Sequence, residues 1–187
     1  MDTEARTGTR ARTRRAILDA AVSVLVKNSA ASLADIAAVA GVGRTTVHRY
    51  FPERSDLLAA IGDHILEQIA VATERARPEE GPPPEALDRI CQEYFELAEG
   101  LMLAFTEPQF FDWEGWDDES ESDRRLTRLI ERGRADGSFD AQLSTAWIGH
   151  VIWALLYAAW QHASEDGVSK HAALDVCLRT LRKTVSP

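Results

Sequence analysis

Between Gly41 and Leu58 the chain reads GVGRTTVHRYFPERSDLL, and its polar residues share one kind of chemistry. Arg44, Thr45, Thr46, His48, Arg49 and Arg54 are hydrogen-bond donors on short or forked side chains, suited to binding an anion rather than to making bonds. A guanidinium donates to phosphate or, in bidentate fashion, to a guanine edge. Threonine lets a backbone come close and touches phosphate or a thymine methyl. His48 and Arg49 stand toward the rim of the segment, with Tyr50 after them. Arg54 opens the next helix, where free backbone N–H groups and the helix dipole already favour an anion. An arginine-bearing surface turn of any helical protein would fit the spacing equally well, so the choice rests on the elements that position these side chains.

Those elements read as helices throughout. Ile17, Ala21, Val24 and Leu25 recur at i, i+4, i+7 and i+8, an amphipathic stripe for which Thr13 is the expected N-cap and Lys27-Asn28-Ser29 the end. Ser32, with Asp35 three residues on, predicts a capping box for a short helix whose buried face is Leu33, Ile36, Ala37 and Ala40. Gly41 stops that helix, and a second short one is expected from Arg44 to Tyr50. In that helix Val47 and Phe51 face inward and Arg44, Thr45, His48 and Arg49 face outward. Pro52 breaks it. Two short helices joined through Ala-Gly-Val-Gly match a helix-turn-helix, whose second helix enters the major groove of DNA. Capped helix, glycine turn, inward apolar pair and outward polar set all agree with a nucleic-acid interface.

Charge agrees as well. The net charge is -9, yet residues 1–55 carry 9 Lys/Arg against 5 Asp/Glu, and the remainder 12 against 25. A basic head on an acidic body meets a polyanion only through the head. A long helix is predicted from about Arg54 to Arg77, then a linker at PEEGPPP, residues 78–84. This divides the chain into a head with its connecting helix, 1–77, and a body, 85–187. The body reads as helices near 85–105, 121–135, 141–163 and 169–184, with Gly137 and Asp166-Gly167 as breaks. Cys91 and Cys177 form no metal-ligand spacing, and a reduced cytoplasmic setting is expected, with a single disulfide as the alternative. No secretory signal is expected, and the longest apolar block, Val151 to Trp160, is too short to span a bilayer. His48, His64, His150, His162 and His171 make no H-E-x-x-H, there is no Gly-rich phosphate loop or G-x-S-x-G, and Glu93, Glu96 and Glu99 lack the E-x-x-H partner of a di-iron bundle. No metal, cofactor or catalytic residue is expected.

The stretch SLADIAAVAGVGRTTVHRYFPERSDLL resembles the DNA-binding domain of TetR family transcriptional regulators. Ile36-Ala37, Ala40-Gly41-Val42, Val47, Tyr50-Phe51-Pro52 and Leu57-Leu58 carry the likeness, and RRAILDAAVSVL fits the family's first helix. Departures are Gly43 for a usual serine, His48 for a usual tyrosine, Arg54 for a usual lysine and Glu53 for a capping serine. The resemblance implies an all-α fold, a three-helix head with Arg44, Thr45, Thr46, His48, Arg49, Tyr50 and Arg54 as DNA contacts, and a helical ligand-binding and dimerisation body. It implies a homodimer through the helices near 141–163 and 169–184, bound to a palindromic operator across successive major grooves about 34–36 Å apart. The N-terminal arm, with Arg6, Arg10, Arg12, Arg14 and Arg15, either adds phosphate or minor-groove contacts or is a disordered solubilising tail.

All five tryptophans lie in the body. In AWIGHVIWALLYAAW apolar residues surround the helix axis, so this helix is expected to be buried on more than one face. Ala146, Gly149, Ala154 and Ala158 permit close helix approach. The residues taken as lining an effector pocket are Tyr94, Phe105, Phe110, Trp113, Trp116, Trp147 and His150, although each also reads as plain core or interface. Glu93, Glu96, Glu107, Asp112 and Glu114 beside the aromatics fit a lipophilic cation or, more simply, a solvated acidic surface. The function expected is a repressor released from its operator by a small hydrophobic or amphipathic effector. An activator, a ligand-independent regulator, or an all-α enzyme or carrier are the alternatives.

Overall fold

A computed structural model of the chain holds nine α-helices and no strand among the described residues. These are residues 2–110, 115 and 119–187, with side chains from residue 8 onward except that of residue 109. The helices are α1 (Asp2–Leu25), α2 (Leu33–Val39), α3 (Arg44–Tyr50), α4 (Arg54–Ala76), α5 (Pro83–Phe95), α6 (Ala98–Thr106), α7 (Glu121–Ala135), α8 (Thr145–Glu165) and α9 (Lys170–Val185). Two compact units emerge, Met1–Leu66 with Glu99–Asp117, and Glu67–Ala98 with Asp118–Pro187. The segment expected to be a linker, 78–84, lies inside the second unit.

In the first unit α1 packs on α2 and α2 on α3. Ile17, Leu18, Ala21, Val22 and Leu25 of α1 are buried, as are Ile36 and Ala37 of α2, Val47 of α3, Phe51, and Leu57, Ile61 and Ile65 of α4. The first helix begins at Asp2, eleven residues before the expected cap. Thr13 is inside it, and its hydroxyl donates to the Thr9 carbonyl at 3.0 Å. The expected arm is therefore the opening turns of α1. The capping box at Ser32 forms as predicted: the Asp35 amide donates to Ser32 Oγ and the Ser32 amide to Asp35 Oδ2 at 2.8 Å. Gly41, at φ +67, lets α2 close with the Val42 amide on the Ala37 carbonyl (3.0 Å) and the Gly41 amide on that of Ala38 (3.3 Å). A side chain at Gly41 would strain this left-handed close. His64 of α4, buried, meets Asp19 of α1 at 2.9 Å. The same unit takes in α6 and a 3₁₀ turn at Pro108–Phe110, with Leu101, Leu103 and Phe110 buried.

In the second unit α5 packs against α7, α8 and α9, and α8 against α7 and α9. The expected helix over 85–105 is two helices, interrupted at Glu96-Leu97. The carbonyl left free where α5 ends, that of Phe95, accepts from Trp160 Nε1 at 3.0 Å, so the buried indole finds its partner in backbone. Ser120, Ser144 and Ser169 cap α7, α8 and α9. Ile148, Ile152, Leu156 and Trp160 of α8 are buried, but Ala146, Trp147, His150, Ala154 and Ala158 are exposed. The helix expected to be buried on several sides is thus covered on one side only within a single chain.

Segment 76–81 is not a free linker either. Arg89 of α5 donates to the carbonyls of Ala76 (2.9 Å), Arg77 (3.1 Å) and Glu80, and Arg132 of α7 to those of Pro78 (3.0 Å), Glu79 and Gly81 (3.2 Å). Six consecutive carbonyls therefore accept from two guanidiniums. They hold even Arg77, whose φ of 47 is unusual for a residue with a side chain. Arg125 adds two contacts to the Glu79 carboxylate at 2.7 and 2.8 Å and one to Glu74 at 2.7 Å.

Candidate nucleic-acid interface and effector region

α3 is built to show one face and hide the other. Gly43 begins it in extended geometry without a side-chain cap, and Phe51 closes it with its amide on the Val47 carbonyl at 2.9 Å. Val47 anchors the inner face. Arg44, Thr45, His48 and Arg49 are exposed, and Thr46 and Tyr50 half-buried. Six of the seven residues expected to touch DNA therefore lie on one seven-residue helix with polar groups available to a partner.

Arg54 is used differently. Its guanidinium donates to the Ala31 carbonyl at 2.8 Å and to that of Ser29, tying the start of α4 to the turn between α1 and α2. In place of the missing capping serine, the Glu53 amide donates to Asp56 Oδ2 at 3.0 Å. Arg54 thus braces backbone acceptors of its own unit, a role beside the anion contact expected of it.

Other cations, from the arm named in the sequence as well as from α3, gather on two aromatic rings. Arg10 of α1 and Arg49 of α3 both lie over the Tyr50 ring, 5.8 and 5.7 Å from its centroid, and Arg14 lies over Phe51 at 5.6 Å. The Tyr50 hydroxyl donates to the Arg10 carbonyl at 3.3 Å. The spacing of Arg10 and Arg14, one turn apart, was the available signal. Among the described residues no ion pair involves Arg10, Arg12, Arg14, Arg15, Arg44 or Arg49. In the second unit, by contrast, Arg124, Arg125, Arg128, Arg179 and Arg182 all meet carboxylates.

The residues expected around an effector do not share one environment. Phe110 is buried and Phe105 40 % exposed, both in the first unit; Glu107 between them in sequence is 8 % exposed. Trp113, Trp116, Asp112 and Glu114 lie outside the described residues. Tyr94 is buried in the second unit, its ring stacked 5.1 Å from that of Trp153, with an interplanar angle of 8°. Thr73 Oγ1 gives its proton to the Ile69 carbonyl at 2.8 Å, so the Tyr94 hydroxyl, 2.7 Å away, donates to Thr73. Burial pushes the Tyr94 phenol up to about 12, so it stays neutral. Trp147, 55 % exposed, and His150 stand on the uncovered face of α8 and not among buried aromatics. Glu96 is exposed and Glu93 half-buried. Both cysteines are buried free thiols, held protonated by that burial. Among the described residues no group of side chains could hold a metal ion, and no helix is long and apolar enough to cross a membrane.

A family model described as bacterial regulatory proteins, tetR family, matches residues 17–61, the segment that builds α1 to α4 of the head. The HTH-type transcriptional repressor LfrR of Mycolicibacterium smegmatis is 38% identical over 183 residues, covering 93% of this chain and 90% of the relative. The chain belongs to the TetR family. The crystal structure of the TetR-like regulator LfrR from Mycobacterium smegmatis in complex with proflavine matches with a TM-score of 0.76 and 36% identity, covering 94% of this chain and 98% of that one. A second relative, the HTH-type transcriptional repressor KstR of Mycolicibacterium smegmatis, is 28% identical over 180 residues, 90% of this chain and 86% of that protein. This TetR family member is accordingly a DNA-binding transcriptional regulator and not an enzyme. Regulators of the family bind DNA operators and act as dimers with small-molecule effectors.

Proposed function

We propose that this protein is a cytoplasmic repressor that binds a palindromic operator as a homodimer and leaves it when a lipophilic aromatic cation binds. Residues 1–77 serve as the DNA-binding head with its connecting helix, and 85–187 supply dimerisation. The observation that carries the reading is the set of cations at α1 and α3 that, among the described residues, form no ion pair, in a chain of net charge -9. An acidic protein keeps such cations free where a polyanion completes them. Arg44, with Thr45 and Thr46 beside it, reads base edges; His48, Arg49 and Tyr50 meet backbone phosphates.

The effector reading rests on the segment that holds Phe105, Glu107 and Phe110. This segment, with an acidic residue between two aromatic ones in sequence, suits a cation that also carries apolar surface. The relative LfrR was crystallised with proflavine, a planar cationic ring system, which supports the same class here. Trp113 and Trp116 belong to this segment by sequence and complete the proposed contact set. The cation must favour the state that cannot hold the operator, since equal binding to both states shifts nothing.

DNA flanking the protein's own gene is the first probe: a steep loss of affinity with salt, with site preference that survives competitor DNA, is expected. Tetraphenylphosphonium, a lipophilic cation that does not intercalate, is the second. It should alter tryptophan fluorescence without DNA present and weaken operator binding at saturation, and Glu107→Gln should blunt both effects. Undiminished operator affinity at saturating cation would remove the effector assignment. A reporter that falls, and does not rise, on deletion of the protein would make it an activator.

A further inference from the structure

We propose that Arg10 and Arg49, seated on the ring of Tyr50, form a two-armed seat for a single backbone phosphate of duplex DNA. The inference deepens the proposed function and rests on it. Arg10 and Arg49 come from different helices, α1 and α3, yet both guanidiniums converge on one aromatic ring, at 5.8 and 5.7 Å from its centroid. The ring is itself tethered, because its hydroxyl donates to the Arg10 backbone carbonyl at 3.3 Å. Tyr50 therefore fixes the base of one arm and the head of both.

Two like charges gathered on one ring repel each other. Cation–π attraction at an exposed site returns only about 0.5–1 kcal/mol for each. In the remainder of the chain the usual remedy is a carboxylate, as with Arg125 between Glu74 and Glu79. Here none is present: among the described residues neither Arg10 nor Arg49 has an ion-pair partner. Both side chains are exposed. Contact with the ring restricts each side chain, which lowers the conformational cost of presenting its N–H groups to an anion. A phosphodiester brings the one negative charge that two converging forks lack. Because Arg49 is the sixth residue of α3, the seat stands at the C-terminal end of the helix whose first residue, Arg44, is proposed to read bases. It would fix how far that helix can rotate in the groove.

Operator binding measured against salt concentration tests this. Each phosphate neutralised contributes about 0.9 to the slope of log affinity against log salt. Arg10→Ala and Arg49→Ala should each weaken binding but keep most of the slope, because the remaining arm still meets the phosphate, and the double variant should reduce the slope by about 0.9. Arg10→Lys keeps the charge and should keep most of the affinity that Arg10→Ala loses, which a purely packing role for the guanidinium would not predict. Tyr50→Leu, which removes the ring under both guanidiniums, should mimic Arg10→Ala. Wild-type affinity for Arg10→Ala, or a double-variant slope loss near 1.8, overturns the shared seat while leaving the DNA-binding reading intact. A wild-type protein whose operator binding does not respond to salt would overturn both.

Discussion

A guanidinium finds its acceptors inside the fold or outside it, and at the scale of single residues that choice separates two arginines that look alike in sequence. Arg44 is exposed and unpaired at the start of α3, while Arg54, ten residues on, spends its donors on the Ser29 and Ala31 carbonyls. Arg44→Ala should leave stability within about 0.5 kcal/mol of wild type. It should cost about 1–3 kcal/mol of operator affinity and relax preference at one base position. Arg54→Ala should instead destabilise the protein by about 1.5–3 kcal/mol, the range for hydrogen bonds to a charged group, and weaken DNA binding for every sequence through the head's stability. Urea denaturation and competition binding on the two variants separate these outcomes; equal stability losses would refute the division of roles. The outward set on α3 was legible because its period and its glycine turn are local. The bracing role of Arg54 was not legible, because its acceptors lie 23 and 25 residues back, in a turn that carries no sequence mark of its purpose.

Elements show the same limit in a longer form. PEEGPPP has the composition of a linker, and nothing within it reveals that Arg89 and Arg132 take its carbonyls and Arg125 the Glu79 side chain. Helix boundaries fared better where a cap announces them, as at Ser32, and worse for α1, whose arginine-rich opening turns have no apolar stripe. The Arg125 guanidinium, hydrogen-bonded to Glu79, holds that carboxyl down at about 2 from an ordinary 4.5. A depressed carboxyl contributes stability that is complete above its unfolded value and is lost as pH falls toward its folded one. The stability gap between wild type and Arg125→Met should therefore be full above about pH 4.5 and shrink toward pH 2, modestly, since Glu79 is half exposed and solvent screens the pair. Denaturation curves at stepped pH check it, and a gap independent of pH would exclude the pair as its source. α7 supplies a steric test. A β-carbon at Gly133 would come within 2.2 and 2.4 Å of ring carbons of the buried Phe139, whose amide donates to the Gly133 carbonyl at 2.8 Å. Gly133→Ala should lower stability by about 1–3 kcal/mol, the usual cost of overpacking, with partial recovery on adding Phe139→Leu.

For the whole molecule, the decisive surface is the side of α8 that one chain leaves uncovered. Trp147 and Val176 of α9 are 55 % and 47 % exposed, and Ala146, His150, Ala154 and Ala158 follow one another at one-turn spacing beside Trp147. An indole left in water is disfavoured, and the three alanines of this row let another helix approach closely. TetR family regulators act as dimers, and we propose that this face of the present chain receives the second copy. The all-round apolar character of α8 was visible in sequence. Which side of it remained open was not, because that depends on where α5, α7 and α9 pack. Ala154 stands mid-way along the row, so Ala154→Glu places a charge against its symmetry mate without touching the chain's own core. The variant should keep wild-type helicity, sediment as a monomer at micromolar concentration, and bind a full palindrome no better than a half-site, a loss of at least about 100-fold given the typical gap between specific and non-specific affinity. Arg44 remains free in such a monomer, so half-site binding should survive unchanged. An Ala154→Glu protein that still sediments as a dimer and holds the full operator would place the interface on another surface.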